Sequence, residues 1–160
     1  MKLIILFLTI VSAGLLAGGL FVIWIEYGSY SLSAQGYVEQ QQNVIKADLN
    51  VIMPLIGRIS VVLTLISAFL HRKNRAILVF LIIAVALTLV AGAVTRWGNQ
   101  PVNGIVVNWK LENIPSDWID LREKWNSLHF IRTIASVIAF CLIVYTALYK
   151  LEATVAEPNV

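Results

Sequence analysis

Five residues recur down one stretch near the C-terminal end: Arg122, Trp125, His129, Arg132 and Ser136. Their offsets of 3, 7, 10 and 14 from the first stack them on one face of a helix. A histidine is the side chain best suited to take a proton near neutral pH. Arginine stabilises a developing anion, and an indole offers a flat apolar surface. Arg122, Trp125, Asn126, His129 and Arg132 are therefore candidate residues of a site facing into the bundle. The plain alternative is a belt of Trp and Arg at a membrane edge. A belt faces headgroups on every side of a helix, however, and these residues share one side.

A second polar group can meet the first. Gln40, Asn43, Asn50, Pro54 and Arg58 share a helical face, and Thr95-Arg96-Trp97 is followed by Asn99, Asn103 and Asn108-Trp109, so the ends of three helices can converge on one polar pocket. Arg58, Arg96, Asn50, Asn103 and Trp109 are candidate substrate contacts, and Arg58, Arg96 and Arg132 would make a pocket cationic. Arg58 lies seven residues past Val51, roughly 10 Å along a helix at 1.5 Å per residue. A charge at that depth costs at least ~2.5 kcal/mol unless it pairs or reaches water. Two readings fit: an arginine that snorkels outward to Glu26, or an anion contact in a wet pocket. A structural network with Asp48, Asp117 or Asp120 as counter-ions is the alternative to a site.

The elements that must position these residues are apolar runs. The chain of 160 residues is 59% hydrophobic and 13% charged, against about a quarter charged for soluble domains. Four runs reach the roughly 20 apolar residues a bilayer requires: residues 3–25, 51–70, 76–95 and 130–149. The expected fold is all-α, a single integral membrane four-helix bundle with two polar, partly helical extracytoplasmic loops. The first run outlasts a secretory h-region of about 7–15 residues and reads as a retained helix. Residues 31–36 are turn-like. The second helix is expected to begin above the membrane from Tyr37, and the fourth from Trp118, where Ser116 or Asp117 can cap it. Pro54 is expected to kink the second.

Orientation follows basic residues. Arg72, Lys73 and Arg75 crowd the turn after Leu70, with Lys2 and Lys150 on the same side. Both termini are therefore expected in the cytoplasm, the membrane being a bacterial inner or other cytoplasmic one. No long basic run points to nucleic acid. The lone Cys141 gives no internal disulfide, and no metal-ligand spacing occurs. His71 and His129 fall at opposite ends of the bundle, which excludes two-histidine haem ligation within one chain but leaves a singly ligated or shared haem. Gly14 and Gly18 form a GxxxG that can serve packing within the bundle or a homodimer.

Several segments together resemble the anthrone-oxygenase-like membrane proteins. Gly36-Tyr37-Val38-Glu39-Gln40-Gln41 leading to Asn50-Val51-Ile52-Met53-Pro54 is similar to that family's second-helix signature, and Pro101-Val102-Asn103 to its proline–asparagine segment. Asp117-Trp118, Leu121-Arg122, Trp125-Asn126, His129 and Arg132-Thr133-Ile134-Ala135-Ser136 resemble its loop-to-fourth-helix signature, the most specific of the three. Many relatives carry His–Gln where this chain has Gln40-Gln41. The resemblance implies oxidation of an anthrone to an anthraquinone by O₂, with neither metal nor flavin. His129 would then be the base and Arg132 or Arg58 the enolate partner. Trp125 and Trp109 would stack a flat lipophilic substrate arriving through the outer leaflet. The alternatives are a haem- or quinone-binding membrane protein and a non-catalytic scaffold or accessory subunit.

Overall fold

Runs with no water to satisfy their backbone must pair every N–H and C=O internally, and helices do this. The protein is described by a computed structural model covering residues 1–29, 32–47 and 49–156. Its helices are α1 (Lys2–Ser29), α2 (Ala34–Lys46), α3 (Leu49–Leu70), α4 (Arg75–Val94), α5 (Gln100–Val106) and α6 (Trp118–Ala156), with a π-helical turn at Thr95–Asn99 between α4 and α5. Four stretches are long and apolar enough to cross a membrane: Lys2–Glu26, Asn50–Leu70, Arg75–Val106 and Trp118–Tyr149. The four-helix membrane bundle expected from the sequence is thus the observed architecture. Ser31 and Asp48 lie outside the described residues.

The long helices form a ring. α1 packs on α3 and α6, and α4 packs on the same two neighbours. The tight link between α3 and α4 marks one end of the bundle, here the turn end. Asn74 caps α4 there, its side-chain oxygen accepting from the Ile77 N–H at 3.2 Å. Near the turn end the core is made of Ala13, Ala68, Ile77, Leu81, Ala84, Ala139 and Ile143. The alanines let backbones approach closely, which matters where lipid removes the hydrophobic drive between helices. Two buried threonine hydroxyls are satisfied within their own helices: Thr64 donates to the Ser60 carbonyl at 2.6 Å and Thr88 to the Ala84 carbonyl at 2.9 Å. Outward-facing Leu15, Val62, Phe69 and Leu148 are exposed, as an acyl-chain environment permits.

At the other end, the loop end, a second core of Tyr37, Val38, Val102, Val106 and Trp125 forms around α2 and α5. Gln42 Nε2 donates to the Val106 and Trp109 carbonyls at 3.1 and 2.9 Å, closing the C-terminus of α5.

Three features differ from the sequence reading. The helix from Tyr37 does not run into the second span; α2 ends at Ala47, whose extended ψ of 158° breaks it from α3. The third span does not stop near residue 95. It passes through the π turn, where the Gln100 N–H reaches back to the Thr95 carbonyl, and continues into α5. Pro101 sits in the first turn of α5, and a missing N–H is tolerated where the helical register has just slipped. The GxxxG pair also divides. A Cβ on Gly14 would lie 3.2 Å from the Phe140 ring of α6, whereas one on Gly18 would meet nothing within 4 Å. The close approach to α3 is at Gly19, where a Cβ would come within 2.8 Å of Met53. The last long helix starts at Trp118, and the stretch apolar enough to cross a membrane starts with it.

Candidate functional site

Ala68 of α3 packs with Ile77, Leu81 and Ala84 of α4 toward the turn of the α3–α4 hairpin. Farther from the turn, Gly57, Arg58 and Val61 of α3 and Ala91, Gly92 and Thr95 on or beside α4 line a cavity of about 580 Å³. This lies within the roughly 300–1,000 Å³ usual for small-molecule sites. Pro54 and the π turn bracket its loop end. Both interrupt regular helical hydrogen bonding, and π turns recur at functional sites for that reason. Leu16, Leu20 and Ile23 of α1 form the apolar back wall. A smaller hollow of about 410 Å³ shares Ile45, Asn50, Arg96, Gln100 and Asn103 with the first, so the polar end continues toward the loops.

Polar residues gather at that end because three short elements, α2, the π turn and α5, meet α6 there. Asn103 of α5 is their hub. Its Oδ1 accepts from the Trp125 indole N–H at 2.8 Å and from Gln41 Nε2 at 2.9 Å. Asn99, in the π turn, donates from Nδ2 to the Trp125 carbonyl at 3.0 Å. The slip of register at the π turn sets Asn99 inward, and it is only 1% exposed.

Arg132 reaches the same cavity from α6. Its Nη1 donates to Thr95 Oγ1 at 3.2 Å, and its Nε donates to His129 Nδ1 at 2.8 Å, with Nη2 also on that nitrogen. Arginine has no acceptor, so His129 Nδ1 carries the lone pair. The ring proton is then on Nε2, which donates to the Leu20 carbonyl of α1 at 3.0 Å. Trp125 stacks on the His129 ring at 4.8 Å between centroids with 5° between planes. Arg132 lies 5.6 Å from the Trp125 ring. The lining holds three arginines, Arg58, Arg96 and Arg132, and no acidic residue among the described residues.

Of the residues singled out from the sequence, Arg58, Arg96, Asn50, Asn103, Trp125 and Arg132 line one cavity. His129 is buried behind Arg132 with both ring nitrogens engaged, and is not part of the lining. Trp109, Arg122 and Asn126 are not part of it either. Trp109 packs against the loop-end core, and Arg122 lies over the Trp118 ring at 5.4 Å. Glu26 accepts from Gln40 at 3.4 Å, so the acid at the end of α1 serves α2. Burial raises the nearby Tyr37 phenol from its ordinary 10 to about 12, with Arg122 pulling the other way. Sequence reasoning missed Gln41 as a pocket residue and placed Asn99 there only as one of the polar residues after the third span. The only signal for Gln41 was the departure at Gln40-Gln41; the partner that Asn99 takes becomes legible only once the π turn is known.

Ligand-holding groups are otherwise sparse. His71 sits at the turn end, its Nδ1 on the Ser67 carbonyl at 2.8 Å, and Cys141 is exposed. Among the described residues no three His, Cys, Asp or Glu side chains cluster closely enough to hold a metal.

The fold and cavity define a four-helix membrane protein with a hollow at one end of its bundle. More particularly, the family model described as Anthrone oxygenase matches residues 42–142, well over half of the chain, and the chain belongs to that family. The matched stretch carries all of the cavity lining except Leu16, Leu20, Ile23 and Gln41. Neither a curated protein nor a solved structure matches the chain.

Proposed function

We propose that this protein oxidises a lipid-soluble aromatic carbon acid with O₂ inside the α3–α4 cavity, with no cofactor held by the protein. The observation that carries this reading is the guanidinium of Arg132 at the polar end of an otherwise apolar hollow, in a lining without an acid among the described residues. A cation there lowers the energy of an enolate more than that of its neutral parent, which is what acceleration requires. The substrate C–H proton leaves, and the electron pair passes to the carbonyl oxygen facing Arg132. The enolate carbon then gives its electrons to O₂ and forms a C–O bond. The peroxide anion so formed takes a proton back from water, and the resulting hydroperoxide loses water to leave a new carbonyl. One O₂ is consumed and one water released, and the methylene carbon ends as a ketone.

In this mechanism Arg132 is the catalytic residue and His129 a positioning residue. The expectation that His129 takes the substrate proton is set aside here because its Nδ1 lone pair is directed at Arg132 and its Nε2 proton at Leu20. The proton leaves to water through the polar end shared with the outer hollow.

The test is O₂ uptake with anthrone by the full chain in lipid nanodiscs, corrected for spontaneous oxidation. Arg132→Gln should lower the rate by on the order of 10²–10³, the usual cost of removing one oxyanion donor. Uptake no faster than the protein-free background, or an unchanged rate in the variant, refutes the reading.

A further inference from the structure

The amide chain at the polar end has only one possible orientation. The Trp125 indole nitrogen is a donor and nothing else, so the Asn103 atom 2.8 Å from it must be the oxygen. That oxygen then faces Gln41 at 2.9 Å, so the Gln41 atom there must be Nε2. The Trp125 carbonyl is an acceptor only, so Asn99 must present Nδ2 to it at 3.0 Å. Flipping any one of the three amides would set acceptor against acceptor or donor against donor. The remaining oxygens are therefore fixed as well. Gln41 Oε1 and Asn99 Oδ1 are both buried with no donor partner among the described residues, each on a residue 1% exposed. Both residues line the same cavity.

Buried carbonyl oxygens are nearly always satisfied in folded proteins. Two of them, locked by the same network on residues that line one cavity, are the acceptors left for a donor held there, which reaches them as the neighbouring lining side chains give way. We infer that Gln41 and Asn99 form an acceptor subsite that selects a bound aromatic carrying a hydroxyl over its donor-free analogue. This rests on the reading that the cavity holds a lipophilic aromatic molecule, and adds to it which edge of that molecule the protein reads. The division of labour is by charge: Arg132 faces the atom that becomes anionic, and the two amides face hydrogens that stay in place. Sites built this way discriminate strongly, because an analogue lacking the donor leaves the acceptors desolvated and unpaired.

The test is equilibrium binding under nitrogen, with the full chain in detergent micelles and corrected for partition into the micelle. The probes are 2-(hydroxymethyl)anthraquinone and its methyl ether. An alcohol is chosen over a phenol so that ionisation beside the arginines cannot imitate a donor effect. The alcohol should bind more tightly than the ether by on the order of ten- to a hundredfold. Gln41→Met and Asn99→Leu should each bring that ratio down, toward unity if one oxygen alone receives the hydroxyl. The ratio is internal to each variant, so a general loss of affinity does not imitate the result. A ratio near unity in the parent protein overturns the subsite, as does a ratio that survives in both variants. If neither probe binds, the subsite and the aromatic-ligand reading fall together. A preserved ratio with no anthrone-dependent O₂ uptake removes the oxygenase reading alone.

Discussion

Replacing Asn103 by Leu should destabilise the protein more than any other single polar change at the loop end. One oxygen there accepts two buried donors, the Trp125 indole N–H at 2.8 Å and Gln41 Nε2 at 2.9 Å. Both donors belong to residues that are almost fully buried, at 3% and 1% exposure. Leucine is close to asparagine in size, so the change deletes the acceptor without opening a large void. Each orphaned donor costs about 1–3 kcal/mol, so the pair comes to about 2–6 kcal/mol. Access to the outer hollow lets water satisfy part of this, which favours the low end, about 2–3 kcal/mol. For a chain of this size that lowers Tm by about 5–10 °C. The assay is thermal unfolding in detergent, with Asn103→Asp as the companion variant. Aspartate keeps an oxygen in place for both donors and should recover most of the loss. If Asn103→Leu melts with the parent, or Asn103→Asp melts with Asn103→Leu, the hub does not hold the loop end together and the amide argument fails with it.

Other expectations follow from the same contacts. His129→Asn places an oxygen near the position of Nδ1 and should retain a measurable part of the anthrone-dependent O₂ uptake, whereas His129→Leu should not. Equal loss in the two would mean that the imidazole itself takes part in proton transfer. Gly92 borders the cavity, and a Cβ added there meets nothing within 4 Å; Gly92→Leu should leave Tm within about 1 °C, as unstrained surface changes do, while abolishing binding of the anthraquinone probes. Tyr37 gives an alkaline signature. Its phenol is held at about 12 against 10 for the free side chain, by burial. Its contribution is fully present below pH 10 and is lost as pH rises from 10 toward about 12, because only the unfolded chain ionises in that window. Tyr37→Phe should therefore flatten the fall in stability across that window, measured as urea midpoints against pH, and a slope equal to the parent's would contradict it.

The spans were legible because a bilayer imposes length and apolarity on any helix that crosses it, and residues 3–25, 51–70 and 130–149 obey that rule almost alone. The inward face of α6 was legible for a related reason. Trp125, His129 and Arg132 at helical spacing cannot all face acyl chains, and Trp125 and His129 are indeed buried. What the sequence concealed depends on backbone events without a strong local marker. Nothing in Asn43-Val44-Ile45-Lys46-Ala47 reads as a helix stop, yet α2 ends there. The third apolar run stops at residue 95, while the π turn there lets the helix continue through Pro101. Gln41 carries no charge and matches no catalytic spacing, so its place in the pocket emerges only from its bond to Asn103, and Asn99, read from the sequence as one polar residue among several, gains a defined partner only through the π turn.

Arg132 presents the central electrostatic question of the site. A guanidinium set within a membrane span is expected to find an anion, and its partners here are neutral: Thr95 Oγ1 and His129 Nδ1. Neutral acceptors satisfy its hydrogen bonds but leave its charge uncompensated. A carboxylate in the same position would satisfy both and would also cancel the field that an enolate needs. On the oxygenase reading, the use of an imidazole lone pair in place of a carboxylate is then functional. It fixes the guanidinium plane through Nε, ties that geometry to α1 through Leu20, and reserves the positive charge for the substrate. Replacing His129 by Asp tests the point directly. It should hold Arg132 at least as firmly, because a charge-assisted bond is stronger than a neutral one, and should still suppress O₂ uptake. If His129→Asp oxidises anthrone as fast as the parent, reserve of charge at Arg132 is not what drives the reaction.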